Sequence, residues 1–316
     1  MATNFYQNLI FIIGQLQIIT HLTRYKFRIM KTILIPTDFS ANANNALEYA
    51  AEISHHAGAS LLLLHVYTPI VSRSNVISAL ITDEVEDAKK EALDKLEVLK
   101  KTLESEYQGI SCKTRISVGE SVEEILNTAL EINADLIIMG TLGASNLART
   151  LFGSNTASVI ESSPCPVLCV PAGSSFQVPK RILFATNFSY DDIQGVIKLV
   201  SIARPFKSEI MIGHVDTSTE EEVDESSMLK FIKEVELASG YNKFTQKIVS
   251  DHNVSMGLDL IIQESDVDVV ALSTHKRNFF EKFYNPSLTK KISLYYNIPI
   301  LVFQNPHDDE DTGKDF

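Results

Sequence analysis

Four residues carry the clearest chemical signal in the chain: Gly140, Gly143, Gly153 and Ser154. The apolar run Leu136–Met139 is followed at once by Gly140-Thr-Leu-Gly143, and nine residues later Gly153-Ser154 stands before a helical segment, Asn155–Ser162. Glycine lets a backbone approach a ligand where any Cβ would obstruct it. The start of a helix offers N–H groups with no internal acceptor and the positive end of a dipole, which suits an anion. Cradling of a phosphate is the chemistry such a set supports. The stretch has neither the Gly-Lys-Ser/Thr of a P-loop nor the G-x-G-x-x-G of a dinucleotide site. Plainer roles compete at single positions: Gly140 can serve close helix–strand packing, and Ser154 can be a simple N-cap.

Two further positions end apolar runs. Asp38 lies in Pro36-Thr37-Asp38-Phe39-Ser40, where on its own it reads as a turn or cap residue before the helix that starts at Ala41. His65, like His214 further on, sits beside an apolar run and reads as a packed histidine rather than a ligand. Phosphoryl transfer needs a metal-holding carboxylate, a group that orients the nucleophile and a cationic clamp. Beyond Asp38 no such set stands near the glycines, and no Ser-His-Asp or metal-ligand spacing is present. No catalytic residue is assigned on this reading.

The elements that must hold these residues alternate between strand and helix. Strands are expected at Thr32–Pro36, Ser60–Val66, Lys113–Val118, Leu136–Met139 and Val167–Val170, and helices at Ala41–His56, Glu84–Leu103, Val122–Ile132 and Asn155–Ser162. In the second of these helices Val85, Ala88, Ala92, Leu96, Leu99 and Leu103 recur at three and four. Short, wholly apolar strands between helices indicate a parallel, doubly wound α/β sheet. Ligands of such sheets bind outside the carboxyl ends of the strands, where Gly140 falls.

The pattern occurs twice. Lys31–Ser40 aligns with Lys180–Ser189, and His65-Val66 with His214-Val215, at an offset of 149. Ala134–Thr141 aligns with Val267–Thr274, Ser154 with Ser287 and Pro166 with Pro299, at an offset of 133. Two constant offsets mean one duplication with a shortened middle segment. The expected organisation is an extension over residues 1–29, a first domain over 30–172, a linker over 173–179, a second domain over 180–305 and an acidic tail over 306–316. In the second copy Ser273, Lys276 and Pro286 replace Gly140, Gly143 and Gly153, and Asn187 replaces Asp38. Pro286 has no N–H to offer, so only the first copy keeps the phosphate pattern. Phe279, Phe280, Phe283 and Tyr284 make the corresponding loop of the second copy bulky, a surface suited to another protein.

Composition narrows the class. The net charge of −12 lacks the basic stripe that nucleic-acid phosphates require. Cys112, Cys165 and Cys169 form neither a disulfide framework nor a paired metal site, and read as buried thiols in a reducing, cytoplasmic setting. The apolar run Phe5–Ile19 is short, is broken by Gln and Asn, and precedes rather than follows its basic residues, so neither a membrane span nor a secretory signal is expected. Met30 reads as a natural start.

Taken together, G-x2-G-x9-G-S/T at Gly140, Gly143, Gly153 and Ser154, the opening Pro36-Thr-Asp38-x-Ser40, the His65-Val66 strand end and Ser163-Pro-Cys-Pro-Val-Leu-x-Val-Pro171 resemble the universal stress proteins in their tandem, UspA-like form. The resemblance implies two Rossmann-like domains of the adenine nucleotide alpha hydrolase-like kind, each with a five-stranded sheet and paired through their last strands, and ATP, with or without Mg²⁺, as ligand. It places Pro36, Thr37, Asp38, Val66, Met139, Gly140, Gly143, Gly153, Ser154 and Asn155 at the nucleotide: Asp38 toward the sugar and adenine, the Val66 backbone at the adenine edge, the glycines and Ser154 on the phosphates. No protein metal site is implied, apart from Asp38 acting through Mg-ATP. Many relatives carry a basic residue after the second glycine; here it is Ala144, with Arg149 the nearest replacement. A stress-response regulator with an unidentified protein partner is the implied role, and association into a homodimer stays open. A weak ATPase and a nucleotide-free scaffold are the alternative functions.

Overall fold

The structure, a computed structural model, describes residues 29–69, 78–141, 152–217, 225–275 and 297–305. Gly143, Ala144, Arg149, the second-copy positions Lys276, Phe279, Phe280, Phe283, Tyr284, Pro286 and Ser287, nearly all of the 1–29 extension and the acidic tail lie outside the described residues.

In the first half β1 (Thr32–Pro36), β2 (Ser60–Tyr67), β3 (Ser111–Val118), β4 (Leu136–Gly140) and β5 (Val167–Val170) alternate with α1 (Ala41–Ala57), α2 (Ser78–Glu106), α3 (Ser121–Glu131) and α4 (Ser154–Ser162). In the second, β6 (Arg181–Ala185), β7 (Glu209–Asp216), β8 (Phe244–Ser250), β9 (Val269–His275) and β10 (Ile300–Asn305) alternate with α5 (Tyr190–Ala203), α6 (Glu225–Ser239) and α7 (Val254–Glu264). The strands form one sheet in the order β3-β2-β1-β4-β5-β10-β9-β6-β7-β8. Each half thus has the same doubly wound order, and every pairing within a half is parallel. The halves meet where β5 and β10 pair antiparallel, with Leu168 opposite Leu301.

The apolar strands are continuous because both their faces are covered. Along β1, Ile33 and Ile35 join one core and Leu34 the other; along β6, Ile182 and Phe184 join the first and Leu183 the second. This is the period-two alternation of a strand, and each core layer runs across both halves. α2 begins before and ends after the expected Glu84–Leu103; at its C-terminus the polar Glu104-Ser105-Glu106 continues the helix without apolar periodicity to announce it. Within it Ala92, Leu96 and Leu103 are buried as the spacing requires. The three cysteines are buried and unpaired, and burial pushes the thiols of Cys112 and Cys165 up to about 11.

The two halves also match in hydrogen bonds and backbone angles at corresponding positions. Asp135 Oδ2 accepts from the Lys31 and Thr32 N–H groups, and Asp268 Oδ2 does the same for Lys180 and Arg181. Left-handed backbone recurs in pairs: Phe39 (φ 61°) with Phe188 (φ 64°), and Asn133 (φ 49°) with Asp266 (φ 45°).

Candidate functional site

At the carboxyl end of β1 the chain turns sharply into α1. Thr37 Oγ1 accepts the Phe39 N–H at 3.0 Å, Asp38 Oδ1 accepts the Ser40 N–H at 3.0 Å, and Ser40 Oγ caps the helix by accepting the Ala43 N–H at 3.2 Å. A left-handed phenylalanine is strained, and the surroundings over-determine it. The Phe39 ring lies 4.5 Å from that of His65, and Lys95 Nζ stands 5.4 Å from the ring centre. His65 Nδ1 donates to the Thr37 carbonyl at 2.8 Å, so the histidine is packed and holds the turn. Asp38 therefore does act as a turn residue. The turn does not need its charge, however: in the second half Asn187 Oδ1 accepts the Ser189 N–H at 3.1 Å in the same way.

The other wall is the start of α4. Gly153, not Ser154, is the N-cap, so the alternative of Ser154 as cap is corrected: Ser154 is the first helical residue. The reason is local. Gly153 takes extended dihedrals (φ −61°, ψ 158°), its N–H donates to the Thr141 carbonyl at 2.7 Å, and its carbonyl accepts the Ala157 N–H. Ser154, Asn155 and Thr156 then have N–H groups for which a helix supplies no acceptor. Ser40, Glu120, Ser189 and Asn253 cap α1, α3, α5 and α7 with side chains, whereas Gly153 has none to give. The helix end that faces the cleft is left open to an outside acceptor.

These walls enclose a cleft of about 200 Å³. Pro36, Thr37, Asp38, Val66, Met139, Gly140, Gly153, Ser154 and Asn155, drawn from four separate stretches of sequence, all line it. Ala43, Leu64, Ser121, Ile125 and Thr156 also line it and escaped the sequence reading. Ile125 is legible as the apolar face of α3 and Thr156 by its nearness to Ser154; an alanine or a first-turn serine carries no signal of its own. Among the described residues no Lys or Arg lines the cleft, and no cluster of three metal-ligating side chains occurs. What the arrangement offers is backbone donors, a carboxylate and an apolar flank.

Gly140 lines the cleft and also serves the helix–strand packing that was the plainer of its two expected roles. A Cβ there would lie 2.9 Å from the Asn42 carbonyl oxygen, so glycine admits the first turn of α1 against β4. Thr156 Oγ1 donates to the Gly140 carbonyl at 3.0 Å, tying α4 to the same strand. Gly140→Ala forces backbone against backbone and should cost about 1–3 kcal/mol of stability. Denaturant unfolding checks this, and a loss under about 0.5 kcal/mol would remove the packing role.

A larger cavity, about 330 Å³, lies between the halves beneath the linker, lined by Tyr49, Phe176, Phe206 and Asp268 among others. Two of its polar groups are committed internally: Tyr49 Oη donates to the Ser175 carbonyl at 2.8 Å, and Asp268 accepts two backbone N–H groups.

Comparison with known proteins bears on the same region. A model of the universal stress protein family matches residues 30–171. Universal stress protein MJ0577 of Methanocaldococcus jannaschii is 36% identical over 159 residues, which span 46% of this chain and 97% of that protein. The chain belongs to the universal stress protein family. A second universal stress protein, Sll1654 of Synechocystis, is 34% identical over 146 residues and is 85% covered. The solved universal stress protein of Archaeoglobus fulgidus shares the fold across both halves, with a TM-score of 0.65 at 22% identity over 86% of this chain and 98% of that one. These two relatives match under half of this universal stress protein because they are about as long as one of its halves. No described helix is long and apolar enough to cross a membrane.

Proposed function

We propose that this universal stress protein binds an adenine nucleotide, ATP with or without Mg²⁺, in the cleft of its first half and acts as a regulator in the response to stress. The observation that carries the reading is the uncapped start of α4, which faces Asp38 and Val66 across one cleft. In this reading the N–H groups of Ser154 and Asn155 hold phosphate oxygens, Asp38 meets the ribose or its Mg²⁺, and Val66 and Met139 flank the base. Gly143 belongs to the same phosphate loop. The bound nucleotide would order the segment between Gly140 and Ser154 and so alter the surface offered to a protein partner. The second half, residues 180–305 beyond the 173–179 linker, serves as a supporting domain paired with residues 30–172. No residue is assigned to catalysis.

Titration with ATP, with mass spectrometry of any co-purified small molecule, tests the reading directly: one nucleotide per chain is expected, and none would overturn it. Asp38→Asn separates charge from turn, because Asn187 makes the same turn without charge. ATP affinity should fall roughly 10- to 100-fold, the worth of a charged hydrogen bond, while the melting temperature stays within about 2 °C. Unchanged affinity in the Asn variant would remove Asp38 from the site.

A further inference from the structure

We infer that the second half's cleft is shut by its own side chains, and that the position occupied by Ala43 in the first half and Asp192 in the second decides which half admits a ligand. The inference rests on the nucleotide reading above and adds the residue that restricts it to one half. The two positions are matched by their surroundings: Ser40 Oγ accepts the Ala43 N–H, and Ser189 Oγ accepts the Asp192 N–H at 3.3 Å. Ala43 presents a methyl group to the open cleft. Asp192 instead folds its carboxylate back over the strand end, where Oδ2 accepts from Thr186 Oγ1 at 2.7 Å and from the Asn187 N–H at 3.2 Å. The residue is 4% exposed. Thr186 and Asn187 are the counterparts of Thr37 and Asp38, which border the first cleft. A carboxylate of the protein thus takes, in the second half, the donors that correspond to cleft-lining groups in the first.

Two further replacements close the same space. Ser273 stands where the first half has Gly140, and its buried hydroxyl has no hydrogen-bond partner. Gly195 makes room for it at the position of Ala46: a Cβ there would lie 2.7 Å from Ser273 Oγ. On the opposite flank Gly257 replaces Glu124 and lets α7 settle onto Val215, whose Cγ1 would lie 2.5 Å from a Cβ at that glycine. Val215 is buried, whereas its counterpart Val66 lines an open cleft. Size is exchanged between neighbouring positions, so the second half is filled rather than damaged.

The test is to move the carboxylate. Ala43→Asp in the full chain should weaken ATP binding by about 30-fold or more, since the new carboxylate both takes the strand-end donors and repels the phosphates. Asp38 stands where the second half has the neutral Asn187, so the variant should fold as the second half does around Asp192 but melt somewhat below the parent through repulsion of the two carboxylates. If Ala43→Asp does not fold, Ala43→Asn carries the acceptor without the charge and should weaken binding about tenfold. A folded variant that binds ATP as tightly as the parent overturns the inference, and so does a parent chain that takes up two ATP with equal affinity. A parent that takes up none sinks the nucleotide reading instead. The closure is then judged from Asp192→Ala, in which the Asn187 amide should exchange with solvent at least about tenfold faster; an unchanged rate overturns it.

Discussion

Gly153→Asp is expected to abolish ATP uptake at ordinary concentrations while leaving the chain as stable as before, or slightly more so. The dihedrals at Gly153 lie in the extended region that any residue adopts, so the substitution introduces no backbone strain. Aspartate is among the best N-cap residues and would accept the N–H of Asn155 or Thr156, with a gain of a few tenths of a kcal/mol over glycine. Those donors are the ones a phosphate would use, and the new charge stands beside it. Loss of two helix-end contacts together with like-charge repulsion amounts to about 3 kcal/mol, or roughly a 100-fold rise in Kd. Isothermal titration with ATP and a thermal melt on the same preparation check both halves of the statement. Gly153→Ala, which adds bulk but no acceptor, separates crowding from capping. Retained affinity in the Asp variant would mean that the start of α4 is not where the phosphates sit.

A stability loss of about 3–5 kcal/mol is expected for Phe184→Ala. Phe184 is fully buried in β6, and its ring centre lies 6.1 Å from that of Phe303. It supports α5 from below: a Cβ at Gly195 would lie 3.0 Å from the Phe184 ring, so the helix backbone is seated on it. Truncation leaves a void between strand and helix that neither can collapse into, because β6 is held on both edges by β7 and β9. The expected fall in Tm is roughly 10 °C, read by calorimetry. A shift under about 2 °C would show that the site repacks freely.

The fold was legible because burial on both faces writes strands as unbroken apolar runs. Thr32–Pro36 and Val167–Val170 have the bounds the sequence predicts, and β2 runs one residue past its expected end. Helix ends were less legible: the last turn of α2, Glu104-Ser105-Glu106, is polar throughout and carries no apolar spacing to mark where the helix stops. Of the cleft lining, Gly140 and Gly153 were readable from their spacing, whereas Asp38 and Val66 came only with the family resemblance. Ala43 was not readable, because its contribution is the absence of a side chain, and only the paired Asp192 gives that absence meaning. Asp192 itself reads in sequence as an ordinary acidic residue in a helix's first turn, a place where carboxylates are favoured by the dipole. Its inward direction is a tertiary fact. For Gly140 the sequence left a ligand role and helix–strand packing both open, and the Asn42 carbonyl beside it supports the packing.

The antiparallel seam between β5 and β10 has a consequence for how the molecule behaves on dilution. A strand edge left open is a standing invitation to another chain. Here each half covers the edge of the other, and a short covalent tether keeps them together, so the pairing is unimolecular and its strength is an effective molarity rather than a function of how much protein is present. Dilution strong enough to dissociate a pair of untethered subunits leaves these halves together. Any further association between copies must use a surface other than these two strands, whose hydrogen bonds are already spent on each other.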